Sequence, residues 1–463
     1  MVKAVFKVVL FLAVVFLPIY FLFLAPPPPL PELDHDAWWG PENLKAKQDT
    51  SVKTFKVKFD KVLVKDLQDR LKSRSPFPPP LQNVGFEYGF NTNTLETWLQ
   101  YWAKDYNFAE REAFFNQYPH FKTNIQGLDI HFVRVTPQVP EGVQLVPLLL
   151  LHGWPGSVRE FYEAIPLLTA VSKDRDFALE LIIPSLPGYG YSSPAVRPGM
   201  GPSEIALIMK NLMHRLGFKK FYVQGGDWGG LIGSHMSTFF PEEVLGFHSN
   251  GIFLFSRKTA LITILGAIYP TLIMDEKYVD RQYPLSQYYS NTIEEMGYMH
   301  IQATKPDTVG IALLDSPSGL LAYILEKFSA WTRMDHRSKV DGGLEFKFTK
   351  DQLLDHLMMY YVPKSITTSM RLYSEYFNKR VLSMNIDEIP SPVPAWVVQA
   401  RHELAYLPPW LIRFKFPNLV NATHLDDGGH FLAFETPKPF SEDVLNAITA
   451  FRKLQKKESK EEL

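Results

Sequence analysis

Two stretches of consecutive apolar residues, VQLVPLLLL at 143–151 and LELIIPSL at 179–186, restrict the fold more than any other feature of the chain. A strand that is apolar on both faces has to be covered on both faces, the condition of a parallel sheet lined by helices. Helical patterns fill the intervals. One helix is expected at 158–168, PSEIALIMKNLMHRLGF covers 202–218, and LIGSHMSTFFPEEV at 231–244 opens as another, with the short strand FYVQGG (221–226) between the last two. Strand alternating with helix predicts a parallel α/β sheet with right-handed crossovers, whose ligands sit beyond the carboxyl ends of the strands. Sheet character returns in PAWVVQA (394–400) and PNLVNATHL (417–425), before a closing helix in FSEDVLNAITAFRKL (440–454).

The core is therefore expected in two parts, 136–251 and 388–455, separated by 252–387, a run of helices rich in aromatic residues and methionine that reads as an inserted lid. Ahead of the core, 51–135 form an arm and the first strands, mixing TFKVKF (54–59) and LDIHFVRV (128–135) with a helical stretch at 94–118. The charged tail KKESKEEL, 456–463, is expected to be solvated and frayed.

Residues 8–25, VVLFLAVVFLPIYFLFLA, carry no charge. As a helix they reach ~27 Å at 1.5 Å per residue, close to the about 30 Å of a hydrocarbon core, so 1–25 are expected to form a transmembrane anchor. A secretory signal peptide is the competing reading, but its apolar core is usually shorter, and the prolines at 26–29 make a poor cleavage site. The segment 26–50, opening with PPPPLP, is a stiff linker that leads into the arm. Lys3 and Lys7 precede the apolar run while Glu32, Asp34 and Asp36 follow it, a bias that would leave the N-terminus cytosolic and the body lumenal.

Composition removes several function classes. A formal charge of -1 with scattered basic residues gives no footprint for nucleic acid. Without cysteine there is no disulfide framework, no thiolate metal site and no cysteine nucleophile. The 13 histidines show neither H-x-x-x-H nor H-E-x-x-H spacing, so no metal site is expected.

Asp227 stands in GGDWGG (225–230), with strand before it and helix after it. This is the setting of a nucleophile elbow, in which glycines allow a sharp turn that lifts one side chain above the sheet at a helix N-terminus. Serine is the usual occupant. An aspartate is already ionised at neutral pH, with a reference pKa of ~3.9, so it attacks without a base and leaves an ester to be hydrolysed. The alternative is an aspartate capping an ordinary Gly-rich turn. His430 in DDGGHF, on a glycine-bearing loop after the last strand, is placed to serve as general base for the hydrolytic water. Glu403 in ARHELAYLP, just past PAWVVQA, falls where the acid that orients such a histidine belongs, with Asp426 and Asp427 as competitors. HGWPGS (152–157) follows the apolar strand as a tight turn, and the backbone N–H groups of Trp154 and Trp228 are the candidate oxyanion hole.

Together HGWPGS, GGDWGG, the stretch from MGYMHIQATKPDTVG to LEKFSAWT (296–332), SMRLYSEYF (369–377) and DDGGHF resemble the microsomal epoxide hydrolase family, and within it the insect juvenile hormone branch. The likeness covers nearly the whole chain. It implies an α/β-hydrolase core with a helical lid, attachment to the endoplasmic reticulum membrane, and addition of water to a small lipophilic epoxide through an aspartyl ester, without metal or organic cofactor. Carried over by motif, Asp227 is the nucleophile, Glu403 and His430 are the charge-relay pair, and Tyr298 in MGYMH and Tyr373 in RLYSEY hold the epoxide oxygen. Two phenols suit that task, because opening an epoxide expels a strongly basic alkoxide to which a phenol can donate a hydrogen bond and then a proton. The resemblance also implies a cytosolic body, against the charge bias at the N-terminus, and we follow it. Asn421-Ala422-Thr423 is an acceptor for N-glycosylation if lumenal and exposed.

Haloalkane dehalogenation would use the same aspartate and histidine, but needs a halide site in place of two tyrosines. An ester or amide hydrolase is disfavoured by the missing elbow serine. A non-catalytic binding module on the same fold is disfavoured because Asp227, Glu403, His430 and both tyrosines are all present.

Overall fold

Tyr222 and Val223, neighbours on one strand, face opposite layers of helix. Tyr222 stacks on Phe451 of the helix Pro437–Glu461, whereas Val223 lies against Gly233 of the helix Asp227–Phe239. Successive side chains of a strand point to opposite faces, so the sheet between these helices is covered on both sides, as the apolar runs require.

The computed structural model describes Phe16, Tyr20 and residues 26–461. The expected anchor at 1–25 lies, but for those two residues, outside them. Nine strands form one sheet: β1 Lys53–Phe55, β2 His120–Ile125, β3 Leu128–Val135, β4 Gln144–Leu151, β5 Phe177–Pro184, β6 Phe221–Gly226, β7 Val244–Asn250, β8 Ala395–Ala400 and β9 Leu419–Leu425. Their order is β1-β2-β3-β5-β4-β6-β7-β8-β9. From β5 to β9 all neighbours are parallel, while β1, β2 and β3 add an antiparallel edge. Every residue of β5 is buried, including Glu180, whose carboxylate accepts hydrogen bonds from Arg134 Nε at 2.8 Å and Thr136 Oγ1 at 2.7 Å.

Several local expectations change. The helix expected at 158–168 is a 3₁₀ turn, Val158–Phe161, followed by the short helix Ile165–Leu168; Pro166 fits the first turn of a helix but not its interior. The stretch 94–118 splits into Thr92–Lys104 and Phe108–Phe115, because Asn107 caps the second piece by accepting from Glu110 N–H at 3.2 Å. Strand β7 escapes the apolar pattern since His248 and Ser249 interrupt it, yet both are satisfied inside: His248 Nε2 lies 2.9 Å from Asp443 Oδ2, and Ser249 Oγ donates to the Gly225 carbonyl at 2.9 Å. The closing helix runs on through the charged tail to Glu461, where a frayed end was expected.

Between β7 and β8 the described chain is helix and loop, from Arg257–Gly266 to Lys379–Ser383. No single helix among the described residues is long and apolar enough to cross a membrane; the adjacent pair Pro306–Asp315 and Pro317–Ala330 meets that test jointly but is bent by 118°. One buried cluster ties this helical segment to the rest. Asp355, in the helix Lys350–Tyr361, accepts from Arg111 Nε at 2.8 Å, Tyr106 Oη at 2.9 Å and Arg159 Nε at 3.2 Å. Asp355 and Arg159 are fully buried, so each charge depends on the others for the solvation that water would otherwise give.

Candidate active site

Strand β6 ends at Gly226 and the helix Asp227–Phe239 begins at the next residue, leaving no loop to absorb the change of direction. Asp227 absorbs it with φ +51°, a left-handed conformation that costs an ordinary residue energy. Two glycines let the backbone close so tightly. A Cβ on Gly225 would stand 2.3 Å from the Gly229 backbone, and one on Gly229 would stand 2.1 Å from the Leu151 carbonyl oxygen at the end of β4. The turn thus delivers the Asp227 carboxylate to the carboxyl edge of the sheet, beside the loop that leaves β4.

That loop carries His152, Gly153 and Trp154. The backbone N–H of Trp154 donates to Asp227 Oδ1 at 2.8 Å. Trp228 N–H belongs to the first turn of the helix after Asp227, where amides have no partner within the helix and point toward the N-terminus. His152 turns away from this chemistry: its Nδ1 lies 2.9 Å from the Gly153 carbonyl, its Nε2 accepts from Leu186 N–H at 3.2 Å, and burial pushes its pKa down to about 4. It is a neutral tie between two loops.

His430, on the loop after β9, places Nε2 at 3.3 Å from Asp227 Oδ2 and Nδ1 at 2.8 Å from Glu403 Oε1. Glu403, on the loop after β8, is buried and also accepts from Leu404 N–H at 2.7 Å. The competing acids stand apart, with Asp427 exposed and paired to Lys347 Nζ at 2.6 Å. Burial opposes the charged imidazole, but the carboxylates of Glu403 and Asp227 on either side outweigh it and hold His430 well above its ordinary pKa. The carbonyl of Trp331, on the helical segment between β7 and β8, accepts from His430 N–H at 3.0 Å and fixes the backbone of the loop.

Tyr298 stands on the helix Gly297–Thr304 and Tyr373 on Ile366–Tyr376. Their rings meet edge to face at 5.8 Å, Tyr298 stacks on the Trp154 indole at 5.2 Å, and Tyr373 meets the Trp228 indole edge to face at 4.7 Å. Desolvation, aided by the nearby Asp227 charge, raises the pKa of both phenols, so both keep their protons well into alkaline solution. The Asp227 carboxylate is thus bordered by Trp154, Trp228, His430, Tyr298 and Tyr373, with Glu403 behind His430.

Two carboxyl groups beside the site escaped sequence reading. Glu435 accepts from Gly429 N–H at 2.8 Å and Phe431 N–H at 2.9 Å, bracing the two residues that flank His430, and burial pushes its pKa up to about 8. Glu160 lines a small cavity of about 10 Å³ together with Gly153, Asp227, Asn250 and His430. Its one signal in the sequence is the helix-start pattern Ser157-x-x-Glu160, a capping box that the structure contains. Among the described residues no group of three or more His, Asp or Glu is arranged to hold a metal ion.

The family model described as "Epoxide hydrolase N terminus" matches residues 52–161, and that described as "alpha/beta hydrolase fold" matches residues 146–272. The chain is 62% identical over 439 residues to the juvenile hormone epoxide hydrolase of Bombyx mori, 95% of each chain. It is 41% identical to epoxide hydrolase 1 of Sus scrofa, covering 88% of this chain and 91% of that one. The crystal structure of the Bombyx mori juvenile hormone epoxide hydrolase superposes with a TM-score of 0.90 at 63% identity, over 91% of this chain and 100% of that chain.

Proposed function

Because the chain belongs to the epoxide hydrolase family and hydrolyses epoxides, we propose that it does so in two steps, through an ester of Asp227. The observation that carries this reading is the divided contact of the carboxylate: Oδ1 is held by Trp154 N–H while Oδ2 faces His430 Nε2, which is backed by Glu403.

In the first step Oδ2 attacks an epoxide carbon and the carbon–oxygen bond breaks. The electron pair stays on the departing oxygen, which takes a proton from Tyr298 or Tyr373. Buried phenols are suited to this, since they remain protonated and pre-positioned where the negative charge develops.

Esterification removes the Asp227 charge, and with it one of the two carboxylates that keep His430 protonated. The imidazole then sheds its proton, which through solvent replaces the one the tyrosine gave, and becomes a base at the moment a base is needed. It takes a proton from water as the water oxygen bonds to Cγ of Asp227. The amides of Trp154 and Trp228 hold the resulting oxyanion. Collapse breaks the bond to the alkyl oxygen, His430 protonates it, and the diol leaves. The remaining acid proton of Asp227 passes to His430, which restores the resting pair.

The substrate class is a lipophilic epoxide, with juvenile hormone first among them, as the name of the Bombyx mori relative and the aromatic walls of Trp154, Trp228, Tyr298, Trp331 and Tyr373 both support. Residues 252–387 act as a lid over the site and 51–135 as an arm that braces it. The charge-free segment 8–25 anchors the chain in the endoplasmic reticulum membrane with the body on the cytosolic side. Single turnover in heavy-oxygen water tests the chemistry: the first diol carries unlabelled oxygen from Asp227, whereas label in that first diol means that water attacks the epoxide directly.

A further inference from the structure

A half-buried carboxyl group that caps a 3₁₀ turn with one oxygen also stands beside the catalytic pair. Glu160 uses Oε1 to accept Ser157 N–H at 3.1 Å, and its carboxyl group faces the cavity that Asp227 and His430 also line. Its volume, about 10 Å³, is near the least that holds one water molecule. Leu151, at the end of β4, and Phe161 also wall the cavity, and it shares Trp154 with the aromatic wall where an epoxide would enter. Gly156 allows the close approach of the acid, since a Cβ there would stand 1.8 Å from Glu160 Oε1.

We propose that this cavity seats the hydrolytic water and that Glu160 is its second hydrogen-bond partner, opposite His430. A water that attacks the Asp227 ester has two hydrogens and one productive lone-pair direction. His430 Nε2 removes one hydrogen as a proton. The other O–H stays intact through the attack, and Glu160 accepts a hydrogen bond from it, turning the free lone pair toward Cγ. The bond that forms is water oxygen to Cγ, the bond that breaks in collapse is Cγ to the alkyl oxygen, and Glu160 is unchanged at the end. Burial pushes the Glu160 pKa up to about 8, with His430 opposing the rise and Asp227 adding to it. A neighbouring imidazolium therefore favours the carboxylate form, in step with the proton transfer from water to His430.

This role presupposes the aspartyl ester, so the test watches both steps. Glu160→Gln keeps an oxygen for the Ser157 amide and the capping box, but cannot take on the negative charge that a neighbouring imidazolium favours. Rapid-quench trapping of the ester by mass spectrometry is expected to show alkylation within about twofold of wild type. Ester decay is expected to fall about 10- to 100-fold, the scale of one charge-assisted hydrogen bond to a reacting water, so that ester accumulates in the steady state. Glu160→Asp, which keeps the charge but withdraws it by one methylene, is expected to restore part of the decay rate at unchanged thermal midpoint. Decay as fast as wild type in Glu160→Gln, or alkylation and decay slowed equally in both variants, overturns the role of Glu160. Absence of any trapped ester, even in a His430→Gln background, overturns the two-step reading instead.

Discussion

The Trp154 indole lies flat on the ring of Tyr298, with centroids 5.2 Å apart and planes 6° from parallel, while the backbone N–H of the same tryptophan holds Asp227 Oδ1 at 2.8 Å. One residue thus touches both the proposed nucleophile and the proposed proton donor Tyr298, which arrives on a different segment of the chain. The two tyrosines reach the site from separate helices and meet each other edge to face.

From this arrangement, Tyr298→Phe and Tyr373→Phe are each expected to slow ester formation by roughly 10²-fold, the usual scale of one general acid. The double variant is expected to lose more than either. Ester decay, which needs neither phenol, stays near the wild-type rate. Stopped-flow measurement of the two phases separates these outcomes; an unchanged alkylation rate in both single variants would remove the tyrosines from the mechanism. Because burial raises both phenols above the ordinary tyrosine value, wild-type alkylation should show no alkaline limb below about pH 10.

Gly153 is expected to be intolerant of any side chain. A Cβ there would stand 2.1 Å from Asp227 Oδ1, so the carboxylate would have to leave the Trp154 amide. Gly153→Ala should fold, since the clash is with a side chain, yet lose about 10²-fold or more in ester formation, the cost of displacing a nucleophile by the order of 1 Å. Steady-state rates with a thermal melt on the same sample check it.

The elbow was legible in the sequence because its causes are local: FYVQGG ends a strand, glycines bracket Asp227, and a helical pattern follows. His430 and Glu403 could be reached by chain order, since each follows a late strand. Tyr298 and Tyr373 could not, for nothing in their own surroundings distinguishes them among 21 tyrosines; the family likeness supplied them. Strand β7 was hidden by His248 and Ser249, polar residues whose partners, Asp443 and the Gly225 carbonyl, are far away in sequence or invisible as backbone. Glu160 looked like a helix cap, and is one. Only the three-dimensional closure of the HGWPGS loop onto His430 puts its carboxyl group beside a water-sized cavity.

Asp355→Ala is expected to destabilise the fold by roughly 3–5 kcal/mol, because it leaves the buried Arg159 and the half-buried Arg111 without their shared carboxylate. Arg159 retains Glu163 at 2.6 Å, which places the loss at the lower end for that residue. Equilibrium unfolding with urea measures it. Since the cluster joins the arm, the core and the helix Lys350–Tyr361, loss of cooperativity in the same transition would show that the three unfold together in the native chain.

Asn421 is exposed on β9, the last strand of the sheet order, within the acceptor Asn421-Ala422-Thr423, whose Thr423 is half-buried and donates to Asp443 Oδ1 at 2.6 Å. With the body on the cytosolic side the chain is expected to stay unmodified when expressed in microsomes, and its electrophoretic mobility to be unchanged by endoglycosidase. A shift that Asn421→Gln abolishes would place the body in the lumen.

The pH dependence of ester decay isolates Glu403. In the resting enzyme, against the effect of burial, the Glu403 and Asp227 carboxylates raise His430 well above its ordinary value. In the ester, of these two carboxylates, only Glu403 remains as an anion beside the imidazole. Neutral His430 is the active form, so decay falls as pH drops through the imidazole pKa of the alkylated enzyme. Removing the Glu403 charge lowers that pKa and lets the neutral form persist to lower pH. Glu403→Gln is therefore expected to move the acid limb of ester decay downward, while its plateau falls by roughly 10²-fold or more because Nδ1 loses the acceptor that fixes the tautomer. Both effects have to appear together: a lower plateau with an unmoved or rising limb would mean that Glu403 holds the loop in place without polarising the base. Single-turnover decay of the trapped ester between about pH 5 and 9 spans the range of an ordinary to a raised imidazole.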